Sequence, residues 1–115
     1  MNIVNRGEIW LADLGQIHGS EQAGFRPVLI FQNDLLNESM TTVLAIPLTS
    51  NLKRASLPSC VLISREEGGL STDSVILCHQ LRVLDKTRLN KKLGLASQDT
   101  LSLVDNKMLF TMGII

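Results

Sequence analysis

Tyrosine is absent, and the 115 residues hold only three phenylalanines and one tryptophan. So few rings leave little for a protein that would hold nucleic acid by stacking many splayed bases on aromatic side chains. A surplus of either charge is also missing, with 11 basic against 11 acidic residues. Binding nucleic acid by bulk charge alone is therefore not expected, although a neutral total permits a local basic patch. No apolar run approaches the roughly 20 residues that cross a bilayer, and Met1–Arg6 lacks the apolar core of a signal peptide. Only two cysteines occur, Cys60 and Cys78, each inside an apolar run. They are expected to be buried and reduced, which implies a cytoplasmic address. Repeats and linkers are lacking too, so residues 1–115 read as one domain. Such a chain can bury roughly two-thirds of its unfolded surface, enough for a core without disulfide staples.

What is present is a series of short β-forming runs. Glu8–Asp13 reads as a first strand behind the turn residue Gly7. Leu14–Gly24 is a long polar connection of the kind that often carries function. Arg26–Gln32 reads as a second strand. Its Pro27 has no N–H for a ladder and confines Arg26 to extended backbone angles. Asn33–Ser39 reads as a turn with one helical turn, and Thr41–Ile46 as a third strand ended by Pro47. Cys60–Ile63 is a fourth, and Gly68-Gly69 marks a turn. Ser74–Leu84 reads as one long strand. Alternation would put Ile76, Cys78, Gln80 and Arg82 on one face, and Val75, Leu77, His79, Leu81 and Val83 on the other. Asp85–Leu89 looks like a short capped turn. Ser97 is a good N-cap for a last helix, with Asp99 in the first turn. The stripe Leu101, Val104, Met108 and Met112 gives that helix one apolar face. Five or six short strands plus a terminal helix predict a small, mostly antiparallel β-barrel with a helix packed on it.

Few familiar chemistries fit. His18, His79, Cys60 and Cys78 do not pair at zinc-site spacing, so no metal site is expected. His79 falls on an apolar face and reads as a core histidine, and His18 as a loop residue. There is no Gly-x-Ser-x-Gly elbow and no phosphate-cradling Gly-x-x-x-x-Gly-Lys-Ser/Thr. Arg26, Glu21, Thr49 and Gln80 remain. A guanidinium matches phosphate oxygens bidentately, a hydroxyl adds a donor, and a carboxylate can accept a proton. These are parts of a ribonuclease that needs no metal, but spacing alone does not assemble them.

Several ordered blocks carry a resemblance across nearly the whole chain. They are Arg6-Gly7-Glu8-Ile9-Trp10, Gly19-Ser20-Glu21-Gln22 with Arg26-Pro27-Val28-Leu29, and Ile46-Pro47-Leu48-Thr49-Ser50. Leu57-Pro58, Asp73-Ser74-Val75, Gln80-Leu81-Arg82 and Asp85-Lys86-x-Arg88-Leu89 follow. In these blocks the chain resembles the PemK/MazF family of toxins from type II toxin–antitoxin systems. The resemblance implies an SH3-like (CcdB/PemK-like) barrel and a homodimer. It implies a sequence-specific, metal-independent endoribonuclease that cuts single-stranded mRNA, without a cofactor, leaving 2′,3′-cyclic phosphate and 5′-OH ends. It also implies a cognate antitoxin as partner. Arg26 and Thr49 would be the catalytic pair, and Glu21 the base or a base-reading residue. Ser20, Leu57, Pro58, Ser74 and Gln80 would line the RNA path. Related toxins on this fold act on DNA gyrase, and an inactive RNA-binding relative is a further alternative. His79 stands where some relatives would have an acidic residue. Trp10 and Phe25 are the nearest rings for stacking, and Phe25, abutting the buried run, is expected in the core.

Overall fold

The structure, a computed structural model, describes residues 3–16, 19 and 21–115. Seven antiparallel strands form one strongly bent, barrel-like sheet. They are β1 (Glu8–Asp13), β2 (Phe25–Ile30), β3 (Thr42–Thr49), β4 (Cys60–Ile63), β5 (Ser74–Leu77), β6 (Arg82–Asp85) and β7 (Leu89–Leu95). The order is β4-β5-β3-β2-β1-β7, with β6 also on β3, so β4, β6 and β7 are edges and the barrel does not close among the described residues. Among the described residues there are two α-helices, α1 (Asp34–Ser39) and α2 (Gln98–Thr111), and three short 3-10 helices.

The central strands are apolar without alternation because both their faces are covered. Val28 and Ile30 of β2 enter a cluster with Trp10, Val43, Ala45 and Leu84. Leu29 enters a second, larger cluster, with Ile9, Ile46, Leu48 and Ile76, and Cys60, Val75 and Leu77 form a small third one. Leu101, Val104 and Met108 of α2 close that larger cluster. Burying each such side chain is worth roughly 1.5–3 kcal/mol. Ser97 caps α2 by accepting from the Thr100 N–H at 3.1 Å. Met112, the expected last member of the stripe, is instead exposed at the C-cap, one turn beyond the covered surface.

Three strand readings are corrected. Pro47 does not end β3, which runs on to Thr49. On the flank opposite β2, β3 pairs with β6 as far as Ala45 and with β5 only from Leu48. Pro47 sits in that gap, where a missing N–H interrupts no ladder on that flank. Ser74–Leu84 is not one strand either. A 3-10 turn over Cys78–Gln80 separates β5 from β6, letting one segment serve both halves of β3. The even face alternation therefore fails, and all four residues of β5 are buried. Finally, β7 was not anticipated. Its Asn90, Lys91 and Lys92 are exposed on an edge strand, where charge discourages pairing with another sheet.

The double glycine locks the β4–β5 connection against β7. Gly69 has φ +68°, and a Cβ there would lie 1.9 Å from the Leu93 carbonyl oxygen. No side chain fits such an approach. Both cysteines are buried and free, as expected, and burial pushes the Cys78 thiol up to about 12.

Candidate active site

The loop after β1 is pinned at its base. Leu14 N–H donates to the Gly24 carbonyl and Gly24 N–H to that of Gly15, both at 2.8 Å. Gly24 takes φ +73°, a left-handed turn that glycine adopts without cost, and the chain enters β2 at Phe25 and Arg26. Arg26 pairs across to Ala12, and its Nε donates to the Ala23 carbonyl at 3.2 Å. The guanidinium is thus held by backbone. Among the described residues no carboxylate lies within ion-pairing distance of it, the two ion pairs being Arg6–Asp105 and Lys92–Glu8.

Thr49 ends the neighbouring strand. It is buried, and its Oγ1 accepts from the Asn51 N–H at 3.2 Å, which leaves the hydroxyl proton available to donate. Arg26, Thr49 and Ser74 line one cleft of about 440 Å³, together with Phe25, Pro27 and Leu48. Ser74 Oγ donates to the Thr72 carbonyl at 3.1 Å, and Gly69 contributes to the wall.

Other expected residues gather separately. Glu21, His79 and Gln80 line a second hollow with Arg82. Gln80 Oε1 accepts from the Gln22 N–H at 3.0 Å, tying the loop to the 3-10 turn. Pro58 borders a third hollow, beside Lys107 and Phe110 of α2, and Leu57 is exposed next to it. Ser20 and His18 lie outside the described residues.

Two side chains differ from expectation. His79 is not a core histidine. The 3-10 turn swings it to the surface, where its Nδ1 lies 2.8 Å from Ser59 Oγ. Partial burial, and then the charge of Arg54, hold its pKa below the usual histidine value. Phe25 is not core either, being 62% exposed at the rim of the Arg26 cleft. Trp10 is buried, with its Nε1–H donated to Glu8 at 3.0 Å, and is closed to stacking. Among the described residues no group of three His, Cys, Asp or Glu side chains is placed to share a metal ion.

Residues 5–110 match the family described as the PemK-like, MazF-like toxin of type II toxin–antitoxin system. The chain belongs to this family. Over 112 residues, 97% of this chain and 93% of the relative, it is 41% identical to an Endoribonuclease MazF from Staphylococcus epidermidis. Its fold is similar to that of MazF from Deinococcus radiodurans, with a TM-score of 0.83 and 26% identity over 98% of this chain and 99% of the other. A MazE–MazF structure from the same organism gives 0.80 and 27%, covering 100% of both chains. The family match spans all seven described strands and α2 to its penultimate residue. The Arg26 cleft opens at the end of that barrel where β2 begins and β3 ends.

Proposed function

We propose that this MazF-like chain cuts single-stranded mRNA at specific sequences, without metal, by turning the RNA's own 2′-hydroxyl on the adjacent phosphate. That it is an RNA-cleaving toxin rests on its family and on the relative 41% identical over 97% of its length. The observation that carries the finer reading is the Arg26 guanidinium, backbone-held and without a carboxylate partner among the described residues, sharing a cleft with the Thr49 hydroxyl.

In this reading the scissile phosphate enters the cleft. Arg26 bonds its non-bridging oxygens and offsets the charge that grows there as O2′ attacks. Thr49 donates to the same phosphate. The O2′–P bond forms, the P–O5′ bond breaks, and its electron pair leaves on O5′, which takes a proton from water. The 2′-hydroxyl proton goes to solvent. The products are a 2′,3′-cyclic phosphate and a 5′-hydroxyl. Glu21, placed with His79 and Gln80 rather than in the Arg26 cleft, reads a neighbouring base. Ser74 lines the phosphate's side of the path, and Leu57 and Pro58 its far end.

The wider assembly follows from the same reading. The working form is a homodimer in the cytoplasm, held inactive by a cognate antitoxin laid over the cleft. No described helix is long and apolar enough to cross a membrane. The test is to digest a transcript pool with the purified protein in excess chelator and map the new 5′ ends. Expected are 5′-hydroxyl ends at one recurring short sequence. Intact RNA, cutting only when metal is added, or 5′-phosphate ends would each refute the reading.

A further inference from the structure

Four aromatic residues serve the whole chain, and one of them, Phe25, lines the Arg26 cleft. Trp10 is in the core, Phe31 lies under the Arg6 guanidinium at 4.7 Å, and Phe110 is half-exposed on α2 beside Pro58, outside the Arg26 cleft. Phe25 is different. It is the first residue of β2, paired with Asp13, and most of its ring faces solvent. Its position is fixed by the pinned loop base immediately before it.

The ring also borders two depressions at once. On one side is the cleft of Arg26 and Thr49. On the other is a polar hollow lined by Asp13, Thr87, Arg88, Leu89 and Asn90. Arg88 is held over that hollow by an Nη1 bond to the Asp13 carbonyl at 3.2 Å. A solvent-facing ring between the Arg26 cleft and a polar hollow that presents Arg88 beside Asp13 has the layout of a single-strand path, with a cation on either side for the backbone and a flat face for a base.

We infer that Phe25 and the hollow behind it form a nucleobase subsite, in which the base flanking the cut stacks on the Phe25 ring and the strand continues towards Arg88. This rests on the cleavage reading above. Stacking on one ring supports roughly a tenfold or greater gain in affinity and tolerates any base, so the subsite anchors register while the Glu21 side discriminates. Phe25 is a substrate-binding residue here, touching RNA beside the reacting phosphate and not at it.

The experiment is a double-mutant cycle on RNA whose cut site has first been mapped with the wild-type protein. Binding is measured for an oligoribonucleotide made uncleavable by a 2′-deoxy at the cut, with an abasic nucleotide at either flanking position. Phe25→Leu should weaken binding of the intact oligonucleotide roughly tenfold, and Phe25→Trp should restore it. On cleavable RNA the Leu variant should raise KM far more than it lowers kcat. One abasic position should cost the wild type a similar factor and cost Phe25→Leu almost nothing. Additive losses at both positions, or unchanged binding by Phe25→Leu at unchanged melting temperature, would overturn the subsite. So would a loss confined to antitoxin binding or to self-association. Failure of the wild type to cut RNA would instead defeat the cleavage reading.

Discussion

At the Ile30 end of β2 the charged side chains are tied into ion pairs and hydrogen-bond networks, and at the Phe25 end, among the described residues, Arg26 has no carboxylate partner. Around the first end, Gly7 N–H donates to the Ile30 carbonyl, and Arg6 bonds Asp105 while stacking on Phe31. Asp34 accepts from the Arg6 N–H at 2.7 Å and from Asn37 at 3.0 Å. Buried Glu8 accepts from the Asn5 N–H, from Trp10 and from Lys92. At the other end Arg26 is held by one carbonyl, in a cleft open to solvent. Saturated charges stabilise a fold, whereas a positioned charge left without a counter-ion has its interaction still to make, with a substrate. The two arginines thus illustrate why residue type alone is a poor guide to function.

The contrast can be broken at either end. The largest effect belongs to Arg26→Ala, which should cut the cleavage rate by about 100-fold or more while leaving stability within about 0.5 kcal/mol of the parent. Single-turnover cleavage and a melting curve check both halves. Thr49→Val keeps the shape but removes the donor, and the same assay should show a loss of roughly tenfold.

The saturated end should respond in stability instead. Burial pushes the Glu8 carboxyl up, but Lys92, the Asn5 N–H and Trp10 outweigh it and hold the pKa below its ordinary 4.5. The unfolded chain therefore binds this proton more readily, so the contribution is present above about pH 4.5 and is lost as pH falls through the lower folded value. Glu8→Gln should cost about 1–3 kcal/mol near neutral pH and flatten that acid limb in denaturant titrations at stepped pH. The smallest effect is expected for Arg6→Ala, whose ion pair is half-exposed. Roughly 1 kcal/mol of stability should go, with cleavage unchanged. A large rate loss in Arg6→Ala would erase the contrast.

Much of this fold was open to sequence reasoning because its signals are local. The Glu8–Asp13 strand, the Cys60–Ile63 strand and the Ser97 cap needed only pattern and capping chemistry. The failures lie where tertiary pairing overrides pattern. Pro47 is tolerated because β3 changes partners beside it, and Ser74–Leu84 bends because it must serve both partners. β7 is polar because it is an edge, so its apolar signal is weak. At the candidate site, the extended, pre-proline setting of Arg26 was readable from its neighbour, whereas its association with Thr49, in a separate block, came only from the family resemblance. Phe25 was not. Its neighbours Val28–Ile30 are core, but at the mouth of the strand there is no layer left to cover a ring. His79 escaped for a related reason, since period-two counting cannot survive a 3-10 turn.

Whether the open end works through the RNA's own 2′-oxygen is read most directly from one substrate change. Replace the single ribonucleotide 5′ of the mapped cut by its 2′-deoxy counterpart and measure cleavage by the wild-type protein. Complete protection, with the deoxy oligonucleotide still bound, is the predicted result. Cleavage of the deoxy substrate at the rate of the all-ribose control would contradict the proposed chemistry at Arg26 and Thr49.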